Sequence, residues 1–128
     1  MNALVNHISI LIFLFTIVIS AQEKIWLDAN LNKTNQLNSV YYKVVSEDAK
    51  EVLYFYKSSN IYRKFNYSNR MLIAKFSEFY ETGALKIIGK YENGLEEGIW
   101  KIYDVNGNIK ERGRYKNGKK VGIWKTFH

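Results

Sequence analysis

Residues 89–103 read GKYENGLEEGIWKIY and residues 113–127 read GRYKNGKKVGIWKTF; the two stretches begin 24 residues apart and align without a gap. The same offset links Tyr67, Tyr91 and Tyr115, then Asn69, Asn93 and Asn117, then Phe76, Trp100 and Trp124. Phe79, Tyr103 and Phe127 follow it, as do Gly83 with Gly107, Gly89 with Gly113 and Gly98 with Gly122. A fixed interval of about 20 to 50 residues marks a repeat architecture.

Asn-Gly dipeptides at 93–94, 106–107 and 117–118 punctuate runs rich in Ile, Tyr and Trp. Asn-Gly favours the centre of a type I′ hairpin turn because both residues tolerate a positive φ. Thr82-Gly83 is a weaker member of the set. Two-residue turns at these sites predict an antiparallel meander in which Ile87 faces Trp100, Leu85 faces Ile102 and Gly89 faces Gly98. Trp100 then faces Gly113, Gly98 faces Tyr115 and Phe76 faces Gly89. Opposed residues share a face, so glycines and large rings gather on one side, each ring lying over a cross-strand glycine.

The other face should carry Lys86, Ile88, Lys90, Lys101, Tyr103, Lys110, Arg112, Arg114, Lys116 and Lys125, with Ile99, Val121, Ile123 and Phe127 among them. Upstream, Val40 to Val45, Glu51 to Lys57, Ile61 to Tyr67 and Met71 to Tyr80 also read as strands. Residues 28–38 are polar and Asn-rich, and read as an extended lead-in or loop.

The first 22 residues hold no Asp, Glu, Lys or Arg. Ile8 to Ile19 is apolar apart from Ser9 and Thr16, and small residues precede Gln22, which resembles a secretory signal peptide cut after Ala21. Its n-region lacks a Lys or Arg, so an uncleaved membrane anchor stays open. The expected organisation is a helical signal segment over 1–21, an extended lead-in over 22–39 and a β-hairpin repeat domain over 40–128, with the clear repeats in 65–128. Without cysteine there is no disulfide framework, and without proline nothing interrupts a ladder.

The two quoted stretches, with YETGALKIIG (80–89) before them, resemble the MORN-repeat variant family over Phe65 to Phe127. The resemblance implies an all-β, elongated antiparallel β-meander of hairpins, with Tyr67, Phe76, Gly89, Tyr91, Gly98, Trp100, Gly113, Tyr115, Gly122 and Trp124 as its structural positions. Phe65, Arg70 and Ala74 stand where the first copy should carry glycine. The lead-in is similar to the start of exported bacterial members. Relatives are labelled antitoxin components or regarded as protein-interaction or lipid-headgroup scaffolds, so the resemblance implies binding and supplies no catalytic residues.

Elementary chemistry points the same way. His7 lies in the apolar segment and His128 is the last residue given, so no His/Cys metal cluster or Cys/His dyad can be assembled. Asp104, beside Asn106-Gly107, reads as a turn residue. Glu96-Glu97 reads as a solvated hairpin tip, and Trp26 has no assignable role. No cofactor and no metal are expected.

The formal charge of +7 is concentrated late, in Lys110, Arg112, Arg114, Lys116, Lys119, Lys120 and Lys125. Two-residue turns set Lys110 against Lys125 and Lys116 against Lys119. Like charges so placed are destabilising, and an acidic protein, an anionic membrane surface or a polyanionic glycan would relieve them. The competing reading is that edge lysines merely deter strand-by-strand aggregation. Nucleic acid is not expected to be met by an exported protein. The expectation is a non-catalytic binding scaffold at the cell envelope, with antitoxin-like neutralisation of a partner and anionic lipid or glycan binding as alternatives.

Overall fold

Asn93-Gly94 and Asn117-Gly118 do form tight turns with positive φ at both residues (51° and 79°; 48° and 79°). The computed structural model describes residues 22–68 and 70–128. The expected signal segment over 1–21 lies outside them. Among the described residues, nine strands follow in chain order: β1 (Ile25–Leu27), β2 (Tyr41–Val45), β3 (Glu51–Tyr56), β4 (Ile61–Ser68), β5 (Ile73–Phe79), β6 (Leu85–Glu92), β7 (Leu95–Tyr103), β8 (Ile109–Lys116) and β9 (Lys119–Thr126). Each pairs antiparallel with the next in one open sheet, β1 and β9 at its edges. No helix occurs among the described residues.

Two turns differ from expectation. Only Gly107 of Asn106-Gly107 has a positive φ, 85°. The loop runs from Asp104 to Asn108, closed by Gly107 N–H donating to the Asp104 carbonyl at 3.1 Å. Asp104 Oδ1 also accepts from the backbone N–H of Asn106 at 2.9 Å and Asn108 at 3.0 Å. A carboxylate placed to take two amides favours this wider loop, with glycine in the left-handed position, over a two-residue turn. Residues 80–84 close the same way, with Gly83 N–H on the Tyr80 carbonyl at 2.9 Å.

The register is corrected as well. Near the Asn93-Gly94 turn, Glu92 pairs with Leu95 and Lys90 with Glu97, but beyond it Ile88 pairs with Lys101 and Ile87 with Ile102. β7 therefore loops out two extra residues at Gly98, whose φ of 72° suits only glycine comfortably. Ile87 thus faces Ile102 and not Trp100, so Leu85 does not face Ile102, and Gly89 is not paired with Gly98. The last hairpin repeats the shift at Gly122, φ 64°, so Lys125 faces Arg112 and not Lys110. A slip of two keeps the side chains beyond these two bulges on their expected faces, whereas a slip of one would not.

The first hairpin of the series behaves differently because Ala74 replaces the bulge glycine. A β-carbon resists the left-handed conformation. The register there runs straight from Arg63↔Glu78 to Ser68↔Ile73, and the spare residues go into a turn where Arg70 (55°) and Met71 (69°) take positive φ.

One face carries the packing. A chain of rings runs Tyr54–Phe65–Phe76–Trp100–Tyr115–Trp124 across β3 to β9, with neighbouring centroids 5.9, 5.0, 5.6, 5.6 and 5.0 Å apart. Tyr91 packs edge-on to Phe76 and Trp100 at 5.4 and 5.2 Å. Ala74, Phe76 and Trp100 are buried. The ring-over-glycine pairs are shifted from those expected. Trp100 remains opposite Gly113 on the backbone, but its indole lies over Gly89, and the Trp124 indole lies over Gly113. The two-residue slip brings each tryptophan across from the glycine on its amino-terminal side.

The lead-in is folded onto the sheet. β1 was not legible as a strand, yet Trp26 pairs with Tyr42, its ring edge-on at 5.4 Å, and Tyr42 stacks on Phe55 at 4.9 Å. Asp28 Oδ1 accepts from Asn30 N–H at 2.8 Å and Asn32 N–H at 3.0 Å, turning the chain back, and Val40 N–H donates to the Leu27 carbonyl at 2.9 Å.

Candidate functional site: the basic sheet face

Opposite the aromatic chain, the later strands present cations in rows that cross the strands. Ile88 faces Lys101, Lys101 faces Arg112, and Arg112 faces Lys125, which puts three cations side by side on β7, β8 and β9. Lys75 faces Lys90 on β5 and β6. Ile99 faces Arg114, which faces Val121, and Lys116 faces Lys119 beside the last turn. Directly opposed side chains lie roughly 5 Å apart at Cβ, close enough for like charges to repel measurably.

Among the described residues, acidic partners go elsewhere. Glu78, 5% exposed, takes Arg63 Nε at 2.9 Å and Lys86 Nζ at 3.2 Å. Glu51 takes Lys64 at 3.1 Å and Glu92 takes Lys90 at 3.9 Å. Glu97 Oε2 accepts from the Asn117 N–H at 2.9 Å, spending one tip carboxylate on the neighbouring turn. No ion pair among the described residues involves Lys75, Lys101, Arg112, Arg114, Lys116, Lys119 or Lys125.

Two of the expected basic-face residues, Lys120 and Lys86, belong elsewhere. Lys120 pairs across from Tyr115 on the aromatic side; its ammonium sits 4.1 Å from the Trp124 ring centre and 3.3 Å from Glu111 Oε1. Lys86 lies at the irregularity between Glu78 and Phe79 and reaches the buried Glu78. Lys110 has no partner on β7, where β8 bulges, but its carbonyl accepts from the Phe127 N–H at 2.9 Å, in step with Arg112 opposite Lys125. Arg112, Arg114, Lys116, Lys119 and Lys125 are brought together, joined by Lys75, Lys90 and Lys101. Lys75 was not among the expected residues, although the expected pairing of Phe76 with Gly89 already sets it opposite Lys90.

Apolar side chains separate the cations. Ile99 is 45% exposed and Ile123 84% exposed. Two adjoining surface depressions share Ile99 and Arg112: one of about 260 Å³ against Arg114, Ile123 and Lys125, the other of about 460 Å³ against Lys75, Ile88, Lys90 and Lys101, with Glu97, which faces Lys90, the one carboxylate in its lining. The backbone of Gly113 lines the first, and that of Gly89 and Gly98 the second. The arrangement can hold anionic groups by charge while offering apolar contacts between them.

Comparison with protein-family models, curated proteins and solved structures finds no match. Among the described residues, no three His, Asp or Glu side chains come together as a metal site.

Proposed function

We propose that this chain is an exported, non-catalytic repeat protein of the MORN-variant type, and that it binds an acidic protein partner at the cell envelope through its basic face. The observation that carries this reading is the row Lys101–Arg112–Lys125, three opposed cations that make no ion pair among the described residues. A row of that kind costs stability unless a partner neutralises it. The apolar Ile99 and Ile123 between the cations supply the dry contacts that an acidic protein surface, more than a free polyanion, would use.

The repeat reading is supported by geometry recurring at the sequence interval. Trp100 on Gly89 is followed by Trp124 on Gly113. The Tyr56 hydroxyl donates to the Phe79 carbonyl at 2.8 Å, and the Tyr80 hydroxyl donates to the Tyr103 carbonyl at 2.8 Å.

Capture from an envelope extract tests the reading. The wild-type protein should retain an acidic protein that elutes as salt rises past about 0.15 M. A variant carrying Arg112→Thr and Arg114→Thr should lose it. Equal capture by that variant would refute the basic-face reading.

A further inference from the structure

Among the described residues, nothing pairs with the outer edge of β9. Among the described residues its one strand neighbour is β8, while every strand from β2 to β8 is paired on both sides. An edge of unpaired N–H and C=O groups is a template for another strand. The glycine bulge does not spoil it. β7 carries the same bulge at Gly98, and its far side still pairs without interruption with β8, from Gly98↔Tyr115 through Ile102↔Glu111. The bulge of β9 at Gly122 likewise turns inward, against β8.

We infer that β9 pairs antiparallel with β9 of a second copy, about a two-fold axis at Ile123. The sequence of the edge is self-complementary in that register. Ile123, 84% exposed in the single chain, meets its own counterpart. Trp124 meets Gly122, Lys125 meets Val121 and Lys120 meets Thr126. No lysine faces a lysine, although β8 and β9 already tolerate two direct like-charge pairs within one chain, Arg112↔Lys125 and Lys116↔Lys119.

Neighbouring registers are worse. Sliding two residues toward the Asn117-Gly118 turn sets Lys125 against Lys119 twice. Sliding two the other way opposes the two Trp124 side chains and takes Gly122 away from them. Slips of one residue put the aromatic face of one copy beside the basic face of the other. The edge lysines thus select a register as much as they deter pairing.

Joined this way, two copies form one continuous sheet whose basic faces lie on the same side and abut at the axis. The pairing does not depend on the proposed binding of an acidic partner, because Arg112 and Arg114 take no part in it.

The test uses the absence of cysteine in the chain. Directly opposed Cα atoms in an antiparallel pair are about 4.5 to 5.5 Å apart, within disulfide reach. Ile123→Cys should therefore cross-link two copies under mild oxidation at least about tenfold faster than Ile99→Cys, which sits on an inner strand. Sedimentation of the purified protein should give a dimer whose fraction rises with salt, because each copy carries +7. Ile123→Lys, which opposes two ammonium groups at an exposed position, should sediment as a monomer. Equal cross-linking at the two positions, or a wild-type monomer throughout the concentration range, overturns the inference. A monomer that instead captures an acidic strand, weakened by salt, overturns it too.

Discussion

A methyl group marks the boundary between tolerance and failure at the two glycines beneath the indoles. A Cβ on Gly89 would overlap the Trp100 ring, and one on Gly113 would overlap the Trp124 ring. Trp100 is 6% exposed and held between Phe76 and Tyr115, so it has nowhere to go. Trp124 stands at the sheet edge and can swing outward. Gly89→Ala should therefore lower stability by about 1–3 kcal/mol, as overpacking does, and Gly113→Ala by clearly less. Urea unfolding midpoints check this, and a Gly89→Ala midpoint equal to wild type would remove the ring-over-glycine account. The pairing of Gly with Trp was legible from the recurrence of both at one interval. Which glycine each ring covers was not, because that depends on where the strand bulges.

Elements are tied to one another by tyrosine hydroxyls that skip a strand. Tyr56 on β3 donates to the Phe79 carbonyl at the end of β5, and burial, with lesser contributions from Tyr41, Tyr62, Glu78 and Glu81, pushes its phenol from 10.0 up to about 12. Burial also raises Tyr54, Tyr62 and Tyr91. A folded pKa above the unfolded one means that the unfolded chain loses its proton first. Stability from Tyr56 is thus complete below pH 10 and is lost as pH climbs through about 12. Thermal midpoints across that interval should fall, and fall less for Tyr56→Phe; parallel decline of the two would show that the hydroxyl plays no such part.

At this same scale the meander and most strand limits could be read from alternating apolar residues and Asn-Gly pairs. The bulges could not. Gly98 and Gly122 look like ring partners in sequence, and only their positive φ reveals that they loop out the strand. Asp104 hid the wider loop, since a carboxylate that accepts two backbone amides outweighs the turn preference of Asn106-Gly107. β1 escaped notice because three residues are too few to display a period.

Across the whole molecule the two faces divide the labour. Rings, glycines and the buried Glu78 ion pairs hold the sheet together from one side, and on the other, among the described residues, Lys75, Lys101, Arg112, Arg114, Lys116, Lys119 and Lys125 make no ion pair. The face assignment was legible because the register slips by two; the place of Lys86 was not, because it sits at a bulge and reaches Glu78, whereas Lys120 falls opposite Tyr115 in the expected register itself. If the row exists for a partner and not for the fold, relieving it must not weaken the fold. Arg112 is its centre, opposed to Lys101 on one side and Lys125 on the other. The decisive measurement is the urea midpoint of Arg112→Thr at low salt, the branched residue preserving strand propensity. Removing two like-charge contacts should raise stability by roughly 0.5–1 kcal/mol, with the gain shrinking as salt is added. A lower midpoint than wild type would mean that Arg112 serves the sheet itself, and would contradict the account.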